Sequence, residues 1–301
     1  MMKIAFSSAL CPQAALETIV AWATQFGFDA VELRGLQGYD RLPLIPALSE
    51  HSDDVRELFA RNKVTLLGLG APVTLDGKSE SDVAAAKAEI AGFVGLASRL
   101  GCPYVRIPMG RVQRLDNRRL ALGRIAAAVT SLVPELAAAG VTLLVENSGD
   151  FRGSRDVWFV TDAASHPAVR CCWNQLHALC DYERPTVSIP RIGQKLGLVH
   201  VGDVAFEAEG NGAGYRPLGQ GEAELARQIE LLRGIGYEGY LILDRPEYPL
   251  ADLPAPEVEL QAAAGFLREQ INARQTVLAA YKGDKKPTKF RSRRASTVAE
   301  G

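Results

Sequence analysis

The chain has 301 residues, 47% hydrophobic and 23% charged, with a formal net charge of −1. That composition is of an ordinary globular protein, with enough chain to bury a core without disulfides or structural metals. Near-neutral charge gives no overall attraction to nucleic acid or to an anionic membrane, so neither is expected as a partner. Met1–Ser7 lacks the basic head and long apolar run of a signal peptide, and no run of about 18 uncharged apolar residues suggests a membrane span. Five cysteines, an odd number without a C-x-x-C pair, suit reduced thiols and a cytoplasmic location.

Short apolar runs recur eight times along the chain. They are Ile4–Phe6, Ala30–Leu33, Val64–Leu69, Tyr104–Ile107, Val141–Val145, Arg170–Trp173, Leu196–Val199 and Tyr240–Leu243. Runs this short, partly β-branched and bounded by Gly or Pro, suit buried parallel strands. Helical segments lie between them: Gln13–Gln25, Ser52–Asn62, Ser81–Leu100, Asn117–Ala139, Pro185–Lys195, Glu222–Gly234 and Pro256–Tyr281. Gly101 and Gly140 stand where helix-terminating glycines belong. Eight strand–helix alternations predict an α/β fold, a closed (β/α)8 TIM barrel over residues 1–281. An open doubly wound sheet would carry a glycine-rich phosphate loop after its first strand, and Phe6-Ser7-Ser8-Ala9-Leu10 is not one. Residues 282–301 are basic and poor in core formers, which predicts a disordered tail.

Active sites of such barrels lie at the C-terminal ends of the strands. Strands five to eight end at Glu146, Asn174, His200 and Asp244, so four neighbouring strands each bring a potential ligand to one rim. Three oxygens and one imidazole suit a divalent metal ion such as Mn²⁺, Co²⁺ or Mg²⁺. Glu32 and Arg106 end or interrupt strands two and four near the same rim and are candidate substrate-binding residues. Arg216 follows Asn211–Tyr215 in a long loop after strand seven that could cover the pocket. Trp158 and Trp173 read as core or wall residues, Cys171 and Cys172 as packing residues, and Asp203 and Arg245 as supports for nearby ligands.

Five pieces in order, Gly27–Glu32, Val145-Glu146-Asn147, Cys172–Ala178, Val199–Asp203 and Pro217–Glu222, resemble the xylose-isomerase-like barrel superfamily. Within it they are closest in character to the ketose 3-epimerase and hydroxypyruvate isomerase branch. The resemblance implies Glu, Asp, His and Glu as metal ligands and a further His, three residues after the Asp, that contacts substrate. Glu146, His200 and His177 match, whereas Asn174 stands for Asp and Asp244 for Glu. It implies a metal-dependent isomerase or epimerase of a small sugar, in which Glu146 and Asp244 move a proton beside a carbonyl through an enediolate. A lyase or dehydratase acting on a keto-sugar, keto-inositol or 3-keto-glycoside at the same site is the alternative. A non-catalytic sugar-binding barrel is the second alternative. Related barrels often form dimers or tetramers, so a homo-oligomer is an open expectation. The superfamily's apurinic-site endonucleases use several zinc ions and many histidines, and four histidines in all argue against that branch.

Overall fold

The computed structural model describes residues 1–206, 213–245 and 254–283. Among the described residues there are ten strands: β1 (Lys3–Ser7), β2 (Ala30–Leu33), β3 (Thr65–Gly70), β4 (Tyr104–Pro108), β5 (Thr142–Glu146), β6 (Val169–Asn174), β7 (Leu196–Val201), β8 (Asp203–Phe206), β9 (Ala213–Arg216) and β10 (Tyr240–Leu243). Eight of them close into a parallel barrel in the order β1-β10-β7-β6-β5-β4-β3-β2, while β8 and β9 form a separate antiparallel hairpin after β7. Helices follow the barrel strands, as in a (β/α)8 TIM barrel.

Strand side chains alternate between the two faces of the sheet, and that period of two builds the interior in layers. Ala5, Ala30, Leu67, Leu144, Cys172, Leu198 and Ile242 form one compact cluster inside the barrel. Two residues further along β2, β5, β6, β7 and β10 stand Glu32, Glu146, Asn174, His200 and Asp244. Each therefore points inward on top of that apolar layer. Tyr104 packs against the same cluster from β4, and two residues on comes Arg106. The functional rim is thus the polar continuation of the core's own alternation. Register shifts between Val31 and Glu32, and between Cys171 and Cys172, fall just before two of these positions, and such irregularities re-aim the side chains that follow.

Side-chain caps open three of the described α-helices, at Ser79, Asn117 and Asn174. Ser79 and Asp82 form a capping box at the head of Glu80–Leu100, and Gly101 closes that helix in the left-handed conformation at φ 69°. The single helix expected over Asn117–Ala139 is two, Arg118–Ser131 and Val133–Ala139. Pro134 sits in the first turn of the second helix, where its missing N–H does no harm but cannot continue the first. Arg118–Ala139 is long and apolar enough by composition to cross a membrane. Here it is broken in two, with Ala121, Ile125, Val129 and Leu136 buried in the core. A helix at Ser154–Ala164, between β5 and β6, was not expected from the sequence. Its polar, exposed face carries Trp158, which is therefore not a core residue, while Trp173 is fully buried. Of the tail expected over 282–301, Lys282 and Gly283 belong to the last helix, Pro256–Gly283, and residues 284–301 lie outside the described residues, as do Asn211 and Gly212 of the long loop.

Asp203, expected to support a ligand, instead organises backbone. Its buried carboxylate accepts from the N–H groups of Val204, Gly219, Gly221 and Ala223 at 2.8–3.0 Å. A Cβ at Gly221 would lie 2.3 Å from Asp203 Oδ1, so only glycine lets the chain come that close. Arg245 pairs with Glu259, which also accepts from the Tyr215 hydroxyl. Replacing Asp203 strands four amides at once. Asp203→Ala is expected to lower unfolding stability by about 3 kcal/mol or more, read from urea titration.

Candidate active site

At the C-terminal end of the barrel a cavity of about 590 Å³ opens. Arg34, Arg106, Glu146, Asn174, His177 and Asp244 line it, together with residues of the loops after β3, β4 and β5. Five of the sequence-derived residues therefore meet at one pocket. Glu32 and His200 do not line it. They lie just beneath, each about 1% exposed, and touch through His200 Nε2 and Glu32 Oε2 at 3.0 Å. Glu32 is thus not a substrate contact but part of the floor. Arg216 is not at this cavity either: it lies exposed on the β8–β9 hairpin, with Nη1 donating to the Tyr215 carbonyl.

The rim is a lattice of ion pairs. Arg106 donates from Nη1 to Glu146 Oε2 at 2.6 Å and sets Nε 3.3 Å from Glu32 Oε1. Arg34 grips Asp244, with Nη1 2.7 and 2.8 Å from its two carboxylate oxygens. His200 Nδ1 lies 3.1 Å from Glu146 Oε1 and 3.3 Å from Asp244 Oδ2. Arg34 was missed by sequence reasoning, although it stands two residues after Glu32 and immediately past β2. The strand-end rule that found Asp244 would have found it. Gly70, at the end of β3, makes room for both arginines. A Cβ there would lie 2.7 Å from Arg106 Nη2 and 2.8 Å from Arg34 Cγ.

These neighbours set the charge states. Burial alone would push the Glu146 carboxyl up, but Arg106 and then His200 outweigh it and hold it well below the usual carboxylate range. Asp244 is likewise lowered, burial being overcome by Arg34 and His200, and Glu32 by His200 and Arg106. Burial works against the charged form of His200, yet Cys172, Glu32 and Asp244 together raise it well above the ordinary histidine value. His177 is lowered, chiefly by burial. Its Nδ1 contacts the Asn147 carbonyl at 2.7 Å, and a proton on Nδ1 would leave Nε2 as the acceptor.

Asn174 has a second task. It caps the short helix Gln175–Cys180, its Oδ1 accepting from the N–H groups of Leu176 at 3.1 Å and His177 at 3.3 Å. That leaves its Nδ2 to donate to Glu146 Oε1 at 3.0 Å. Turning the amide over would set NH₂ against two N–H donors and its carbonyl against a carboxylate, so both sides fix its orientation. An Asp here would have two acceptor oxygens, one for the cap and one for a cation. Asn has one, and the helix uses it. Asn174 therefore presents a proton where a ligand was expected. Asp244 has both oxygens on Arg34. The four-residue set Glu146, Asn174, His200 and Asp244, as arranged, does not fit a divalent ion. One ligand atom each of Glu146, Cys172 and His200 lies within 4.8 Å of the others, which makes these three, among the described residues, a group that could hold a metal. Cys172, a packing residue by its sequence context, thus also belongs to this group. Its thiol is pushed up to about 11, mainly by burial, so it would have to lose a proton to bind one.

A family model described as Xylose isomerase-like TIM barrel matches residues 20–270. The chain belongs to that family. A comparison with curated proteins finds no match. Among solved structures, that of an L-ribulose 3-epimerase has a TM-score of 0.76 at 18% identity, covering 95% of this chain and 100% of the other. A D-psicose 3-epimerase with D-tagatose, from Clostridium cellulolyticum H10, gives 0.74 at 17%, covering 90% and 99%. The IolI protein with a bound zinc atom gives 0.74 at 18%, again over 90% and 99%. At such identities the likeness to each structure is one of fold. The family thus has epimerases and similar isomerase-like proteins as its structural neighbours here.

Removing Arg106 leaves the buried Glu32 and Glu146 to share His200 as their remaining ion-pair partner. Arg106→Met is expected to lose about 3–5 kcal/mol of stability at neutral pH. Carboxyls held low in the folded state stabilise it above their unfolded values, near pH 4, and that contribution drains as the pH falls through the folded values. In the variant those two values rise. Its deficit against wild type should therefore narrow on acidification, and urea unfolding across pH 3–7 checks both parts.

Proposed function

We propose that the chain isomerises or epimerises a sugar or related hydroxycarbonyl compound by moving a proton at the carbon beside the carbonyl. One observation carries the reading. Glu146 and Asp244, from β5 and β10, line the same cavity, and both are ionised at neutral pH. The two strands are three positions apart around an eight-stranded barrel, so the carboxylates approach the cavity from different sides. One removes the proton from the substrate carbon and forms an enediolate; the same group, now a carboxylic acid, returns it to that carbon or to the neighbouring one, and delivery to the opposite face requires the other carboxylate first to take a proton from solvent. A carboxylate with a lowered pKa is a weak base, so the reaction depends on stabilising the enediolate. Arg34 and Arg106 supply positive charge at the cavity wall in a setting shielded from water. His177 Nε2 can accept a substrate hydroxyl and orient it.

Membership of the family and its epimerase neighbours support this reading, and the sugars those neighbours are described with set the first substrates to try. L-Ribulose, D-psicose, D-fructose and D-tagatose would be incubated with the protein in D₂O and followed by NMR. Deuterium is expected at the carbon beside the carbonyl, together with an isomer or epimer of unchanged skeleton. Glu146→Gln should slow exchange by about 10²–10⁴-fold. A product lighter by water or an aglycone would instead mark elimination, which shares the proton abstraction but expels a substituent. Exchange undiminished in both Glu146→Gln and Asp244→Asn would contradict the assignment.

A further inference from the structure

We propose that the guanidiniums of Arg34 and Arg106 stand in place of a divalent cation, so that this site engages substrate oxygens without taking up a metal ion. The second half rests on the function proposed above; the first half is a statement about binding alone.

Every carboxylate oxygen of the donor set already has a hydrogen-bond partner. Both oxygens of Asp244 lie on Arg34 Nη1. Glu146 Oε2 accepts from Arg106, and Glu146 Oε1 accepts from Asn174 and lies beside His200 Nδ1. Asn174 cannot supply its carbonyl oxygen without uncapping the helix Gln175–Cys180. A cation entering here would have to displace two guanidiniums and meet an amide NH₂. Those guanidiniums are permanent charges that cannot be titrated away.

The placement of the two arginines is itself informative. Buried like charges repel, and each must be compensated. Yet Gly70 clears space for Arg106 and Arg34 to pack side by side, where any larger residue would press on both. Three buried carboxylates, Glu32, Glu146 and Asp244, surround them. Together the pair carries the charge of one divalent ion, fixed at the wall of the cavity. Each guanidinium has five N–H donors and uses Nη1 on a carboxylate. Arg106 also holds Nε beside Glu32, so the two-donor edge left over, Nε with Nη2, is that of Arg34, and it suits two neighbouring oxygens of a hydroxycarbonyl compound, the pair of atoms that becomes the enediolate.

The test uses the full chain without substrate. Protein stripped with EDTA is dialysed against Mn²⁺, Co²⁺, Mg²⁺ or Zn²⁺, and its metal content and melting temperature are measured. Zinc is included because Glu146, Cys172 and His200 are the softer donors. Wild type should retain substoichiometric metal and shift by no more than about 1 °C. The double variant Arg34→Gln with Asn174→Asp frees Asp244 and restores the second acceptor oxygen. It should gain an ion and rise by about 5 °C at saturating metal. One ion per wild-type chain, lost in Glu146→Gln or in Cys172→Ala, would overturn the proposal. Because no turnover is measured, that result is distinct from a failure to find isomerase activity.

Discussion

Two arginines that both use the space beside one glycine are what the rest of this rim is arranged around. Arg34 and Arg106 meet above Gly70 because β3 ends without a side chain, and their charge requires acids on every side. Asp244 takes Arg34. Glu146 and Glu32 take Arg106. His200, wedged among the three carboxylates, then finds its protonated form favoured despite complete burial. None of these groups is tolerable alone in that position. Each leans on the charge of the others, although Glu32 Oε2, Arg106 Nε and His200 Nε2 make no hydrogen bond, so the lattice is costly to break in part.

The barrel supplies that lattice through its pleat. An inner layer of small and aliphatic residues fills the bore, and the next inward position on each strand becomes the rim. A stability element and a chemical element are therefore successive steps of one alternation. The loops after the strands add the remaining wall, and Asn147 ties two of them together. Its side chain holds the Asn174 backbone through N–H at 2.6 Å and carbonyl at 3.0 Å, while its own carbonyl meets His177. Asp203 does the corresponding work beyond β7, gathering four amides and so setting the course of the chain that leads to β10.

Much of this was legible in the sequence. Strands of four to six apolar residues alternating with alanine-rich helices fix a barrel, and the polar residue ending each strand falls at its mouth. Glu146, Asn174, His177 and Asp244 were found that way or by resemblance, and they do share a cavity. Three things were not legible, for different reasons. Arg34 lies one residue past the apolar run of β2, beyond Glu32, whose inward direction puts it in the floor. Arg216 depended on the path of a long connection, and hairpin geometry rather than strand periodicity placed it elsewhere. Asn174 lines the cavity, but its amide oxygen accepts from the helix that follows. Its spacing is that of a ligand, but whether its one acceptor oxygen faces the cavity or the following helix is a question of hydrogen bonding in three dimensions.

That single oxygen separates this chain's rim from the metal site the family pattern implies, and it can be examined directly. Crystals grown with manganese would be measured above and below the manganese absorption edge. The account predicts no anomalous peak among Glu146, Asn174, His200 and Asp244, with Arg34 still on Asp244 and the Asn174 carbonyl still on its helix. A full-occupancy peak bonded to Glu146 and Asp244, with Arg34 swung away, would contradict it.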